Sequence, residues 1–163
     1  MTGDETPGFL ARDTVALLTP IANGDVLAAI CALGGCKCDV LEVPGGTLAV
    51  LVDQDEEATG RAARAVATVA GGAIVLAMER RGGQLTVVRW QGTEPGEELP
   101  PGLALDRAPE AVTSLMTGAV TVEDLFARDP SLVHSGRVGR FRALWRLRRL
   151  ARQGRREHRA AGA

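Results

Sequence analysis

Aromatic side chains are scarce in this chain: tyrosine is absent, and Phe9, Trp90, Phe126, Phe141 and Trp145 are its only phenylalanines and tryptophans. A core must then be built from Val, Leu, Ile and Ala, side chains that suit close packing of helices on a sheet. The strands offer Trp90 as their sole ring, which argues against an open sheet that stacks nucleic-acid bases. Apolar runs are short too. None approaches the roughly 20 residues of a membrane span, and Met1 to Gly8 lacks the basic-then-apolar order of a secretory leader, so a cytoplasmic protein is expected. Lysine is reduced to Lys37 beside eighteen arginines.

Cys31, Cys36 and Cys38 are odd in number and crowd into eight positions, which is no disulfide framework for a secreted domain. A structural zinc site takes four ligands, commonly in Cys-x2-Cys pairs. His134 and His158 stand far from these thiols in sequence, so core thiols are expected, with no metal and no cofactor. Ser114, Ser131, Ser135 and both histidines fall beyond the expected sheet, which leaves no Ser-His or Cys-His pair on rigid elements. Asp53, Asp55, Glu56 and Glu57 are explained by a helix start, where the macrodipole favours carboxylates. The doublets Gly34-Gly35, Gly45-Gly46, Gly71-Gly72 and Gly82-Gly83 have neither the Walker nor the dinucleotide spacing and mark turns. No catalytic residue is nominated.

What remains is 163 residues with an apolar fraction of 45%, enough for one domain with an appended element. The net charge of −1 conceals a division: residues 137–163 hold ten Arg against Glu157, a formal +9, and residues 1–136 carry −10. Asymmetry of this kind suggests an interaction tail on an acidic body.

The periodicity supplies the elements. A strand is expected between Asp13 and Pro20. Asn23-Gly24-Asp25 then offers turn and cap chemistry ahead of Val26, Leu27, Ile30 and Leu33, one apolar helical face closed by Gly34-Gly35. Strands around Val40–Val43 and Leu48–Val52 flank Pro44-Gly45-Gly46 as a hairpin. An Ala-rich helix from the acidic Asp53–Glu57 entry to Gly71-Gly72 leads to a strand over Ala73–Met78. Arg80-Arg81-Gly82-Gly83-Gln84 turns into a further strand, Leu85–Trp90. The order βαββαβ plus an extra β predicts an α+β fold of the ferredoxin-like split βαβ type, with both helices on one sheet face and a C-terminal helical extension.

The expected organisation is a flexible N-terminus over 1–12, the body over 13–91, and a Pro/Gly-rich linker over 92–109. A short helical segment follows over 110–136, opened by Pro109 and capped again at Thr121, and an Arg-rich amphipathic tail covers 137–163. In that tail Phe141, Leu144 and Trp145 fall at i, i+3, i+4, and Arg142, Arg146 and Arg149 line another side at i, i+4, i+7. Arg142, Arg146, Arg149 and Arg152, with Phe141, Leu144 and Trp145 as apolar anchors, are the candidate partner-binding residues. The candidate partners are RNA or a ribosomal surface, DNA, a protein groove, a sister subunit in a homo-oligomer or the chain's own body, and, with less weight, an anionic membrane surface.

The element order also resembles the small regulatory domains of the ACT type. Asn23-Gly24-Asp25-Val26-Leu27 stands where those domains carry their ligand-binding first turn, without its Pro-Gly pair. The resemblance implies an alternative function, small-ligand sensing, with Asn23 and Asp25 as ligand contacts. The expectation of first choice is a non-enzymatic interaction protein whose acidic body presents the Arg-rich helix.

Overall fold

A computed structural model of the protein describes residues 12–135 and 140–162, the latter by backbone alone over 140–146. In chain order the elements are β1 (Thr14–Thr19), α1 (Gly24–Leu33), β2 (Cys38–Val43), β3 (Gly46–Leu51), α2 (Glu56–Val69), β4 (Val75–Arg81), β5 (Gln84–Trp90) and β6 (Pro95–Leu99). They continue with α3 (Pro101–Asp106), α4 (Glu110–Thr117), α5 (Val122–Arg128), a 3-10 turn at Pro130–Leu132, β7 (Val133–Ser135) and α6 (Arg140–Ala161). Among the described residues the fold is α+β, one seven-stranded sheet in the order β6-β5-β4-β1-β3-β2-β7 with six α-helices, and every strand pair is antiparallel.

The local chemistry accounts for the elements. Asn23 caps α1 by accepting from the N–H groups of Asp25 and Val26, and Asp55 caps α2 by accepting from that of Ala58. Pro44 and Gly45 set the β2–β3 register in which Val43 pairs Gly46 and Cys38 pairs Leu51. Gly46 is indispensable there, because a Cβ would collide with the Thr19 carbonyl oxygen.

Alternation along the strands splits the core into two. Val15, Leu17, Val40, Ala49, Leu51, Val75 and Ala77 point to the face covered by α1 and α2, where they meet Leu27, Ile30, Cys31, Ala62, Ala63 and Val66. Ala16, Leu41, Val43, Leu48, Val50, Met78 and Val87 point to the other face, where Ala104, Val112, Leu115, Met116 and Leu125 from α3, α4 and α5 cover them. The protein is a three-layer sandwich, with helices on both faces of the sheet.

That second cover departs from the expected arrangement, in which both helices share one face and 92–109 is a linker. The stretch 92–109 carries β6 and α3 instead. Pro95 opens an edge strand, where its missing N–H costs no ladder bond, and Pro101 stands in the first turn of α3, where that missing N–H would have been unpaired anyway. The segment 110–136 likewise contains α4, α5 and a seventh strand. β7 pairs with β2, and His134, expected beyond the sheet, lies opposite Val40 inside it. Trp90 is buried in the α1/α2 cluster rather than displayed. Of the expected N-terminal segment 1–12, residues 1–11 lie outside the described residues.

β4 also runs further than expected, through Arg81, so that Arg80 falls on the same face as Met78 and is 5% exposed. Its guanidinium donates to the Leu115 carbonyl at 2.8 Å, to the Arg12 carbonyl at 2.8 Å and to Thr14 Oγ1 at 3.2 Å. Leu115 and Met116 end α4, where carbonyls lack intrahelical partners and carry the negative end of the helix dipole. Arg80 thereby ties the covering layer to the sheet. Burial pulls its pKa down, with the Asp13 carboxylate opposing.

Candidate anion-binding helix

The site begins at β7, because the chain leaves the sheet there to form α6. His134 is only 19% exposed; its Nδ1 lies 3.2 Å from Asp25 Oδ1 and its Nε2 3.1 Å from Glu42 Oε1. The second approach lacks hydrogen-bond alignment, and that nitrogen is buried. Glu42 Oε1 also accepts from the Gly24 N–H at 3.0 Å, at the positive end of the α1 dipole. The imidazole packs directly on Gly24, where any Cβ would strike its ring. Two carboxylates, one imidazole and a glycine therefore form a latch between β2, the start of α1 and β7.

Beyond the latch, α6 packs along α1. Leu147 rests on Ala29 and Ala32, which are 0% and 4% exposed. Small side chains let the two helices approach closely. Contact then ends: every residue from Ala151 to Gly162 is exposed. The helix has 22 residues, about 33 Å at the usual rise. Its first part is seated on the body and its second part stands clear of it.

Charge runs the length of the helix, with five arginines over 140–150 and four arginines with Glu157 over 151–162. Arg148, Arg152, Arg155 and Arg159 succeed one another at four, three and four residues, which places them on one line along the helix. Arg149 and Arg156 flank that line, Glu157 is the sole acid of the helix, and all seven are exposed. Arg148, Arg152, Arg155 and Arg156 surround one shallow recess with Ala151, and Arg155, Arg156, His158 and Arg159 surround the next. Like charges at this spacing along one helix face repel each other, and an anion beside them offsets that repulsion. Planar forked donors are suited to carboxylate or phosphate oxygens.

Of the candidate partner-binding residues, Arg149 and Arg152 are exposed on α6. Arg142, Arg146, Phe141, Leu144 and Trp145 belong to the same helix, but their side chains lie outside the described residues. Arg148, Arg155, Arg156 and Arg159 were not nominated, although the same helical spacing identifies them. Asn23 and Asp25, the alternative ligand contacts, are engaged within the chain, Asn23 as the α1 cap and Asp25 with His134.

Cys31, Cys36 and Cys38 are buried. The Cys31 thiol is pushed well up by its hydrogen bond with Cys38 and by burial, and that of Cys36 is raised by burial against the opposing pull of Arg61. Both favour the unreactive thiol form. Among the described residues no three His, Cys, Asp or Glu side chains converge as a metal site. A cleft of about 750 Å³ opens on the second face between Thr14, Asp39, Val52, Gln54, Arg80 and Thr121. No described helix is long and apolar enough to cross a membrane. The chain matches no family model, and no curated protein or solved structure is significantly similar to it.

Proposed function

We propose that this is a non-enzymatic cytoplasmic interaction protein, whose acidic α/β body holds out the free half of α6 to an anionic partner. The observation that carries this reading is that every residue of 151–162 is exposed, with four arginines and one acid among them. An exposed helix with that composition gains nothing by burial and is selected for charge. The seated half mounts the helix on the body, so the backbone that carries the arginines is already helical before the partner arrives, which lowers the entropic cost of binding.

The body reads as a ferredoxin-like split βαβ unit extended by β5, β6 and β7. What supports this is the central run β4-β1-β3-β2 with α1 and α2 on one face. A sister subunit remains within the proposal as an anionic partner, since Glu94, Glu97 and Glu98 are exposed on and beside β6. The sensor alternative has less support at the first turn. Asn23 Oδ1 and Glu42 already accept the N–H groups of Gly24, Asp25 and Val26, so those three backbone donors are taken.

The test is retention of the whole chain on an immobilised sulfated polysaccharide. The native protein is expected to bind and to elute with salt. The triple variant Arg152→Glu, Arg155→Glu, Arg156→Glu is expected to flow through with an unchanged circular-dichroism spectrum. Equal retention of the two proteins refutes the proposal.

A further inference from the structure

Resting on that reading, we infer that the partner of α6 is the phosphate backbone of duplex DNA, bound without sequence preference. The line Arg148, Arg152, Arg155 and Arg159 spans eleven residues, about 16 Å along the helix axis. Duplex DNA carries one charge per about 1.7 Å of its axis, so a line of that length faces several phosphates at once. A helix with its side chains is about 10–12 Å across, which the major groove of B-form DNA, about 12 Å wide, admits.

The chemistry of the free half favours duplex DNA over other anions. Its small residues are Ala151, Gly154, Ala160, Ala161 and Gly162, and it has neither Trp nor Phe nor Leu beyond Leu150. A lipid surface demands a broad apolar face for insertion, and a protein groove demands large apolar anchors at helical spacing. Neither is present. Single strands are held largely by stacking on aromatic rings, which are also missing. A-form RNA closes its major groove to side chains. Gln153 is the one amide of the free half, so the base edges meet little that could read them.

The acidic body sharpens the contact. Residues 1–136 carry a formal −10, so the net charge of the body disfavours a polyanion and α6 is the element that favours one. DNA therefore meets the protein end-on, with the sheet and its covering helices held away.

The decisive measurement is binding of the full chain to two 20-base-pair DNA duplexes of unrelated sequence, across a salt series. With four phosphates neutralised, the slope of log K against log salt is expected near about −3.6, a loss of about 150-fold between 50 and 200 mM. The two sequences should bind alike. The quadruple variant Arg148→Gln, Arg152→Gln, Arg155→Gln, Arg159→Gln should flatten the slope towards zero. The matching Lys variant, which keeps charge and helix propensity, should retain most of it. A parallel series uses duplex RNA and phosphatidylserine vesicles. Capture by either with no binding to DNA overturns this inference and leaves the interaction helix standing; a Gln variant that binds DNA as the native chain does overturns it too. Absence of binding to every polyanion, the polysaccharide included, removes both.

Discussion

The body and the free half of α6 handle charge in opposite ways. In the body a polar group that leaves water has polar neighbours: Arg80 donates to the Leu115 carbonyl and Thr14, and His134 stands beside Asp25 and Glu42. On α6 six arginines from Arg148 to Arg159 stay in water with Glu157 as the only acid nearby in sequence. Answered charges set the fold, because removing one partner strands the other in a poorly solvated place. Unanswered charges set association, because nothing inside the chain depends on them. Substitutions in the two regions should accordingly separate stability from binding.

The largest expected loss of stability comes from Arg80→Ala, which strands the carbonyls of Leu115 and Arg12: about 3–5 kcal/mol in urea denaturation, with α4 and α5 exchanging their amide hydrogens first. An intact midpoint would show that the covering layer holds without this anchor. Next stands Gly24→Ala, whose Cβ displaces the His134 ring at a cost of about 1–3 kcal/mol, read as a lower thermal midpoint. His134→Ala discards the latch, so it should cost about 1 kcal/mol and speed hydrogen exchange in β7. The pair also forms a test: in the double variant the Gly24→Ala penalty should shrink, since its obstacle is gone. Smallest of all, Arg152→Gln should leave the denaturation midpoint where it is while weakening retention on the polyanion. A drop in stability there would mean that the free half is braced by the body after all.

Much of the first face could be read in advance. The spacing of Val26, Leu27 and Ile30, the cap at Asn23 and the turn at Pro44-Gly45 are local signals, and each acts within a few residues of itself. The second face was harder to read. Pro95 and Pro101 announce a break in what precedes them, yet the same residues begin β6 and α3, and local sequence does not distinguish an ending from a beginning. Arg80 could have been found from alternation, since Leu76, Met78 and Arg80 share one side of β4. The His134 latch could not, because Asp25 and Glu42 are brought to it only by the sheet order. In α6 the charge was plain from composition, whereas the change from seated to free near Ala151 depends on where α1 ends beneath it.

The outer strand β6 carries one more implication. Its five residues include Pro95 and the exposed Glu97 and Glu98, and on the opposite margin β7 is three residues long. A second chain seeking to lengthen the sheet would meet carboxylates on one flank and too few backbone groups on the other. Concentrated solutions should for that reason resist fibril growth, and their self-association should dissolve with added salt, as ionic contact does and strand stacking does not.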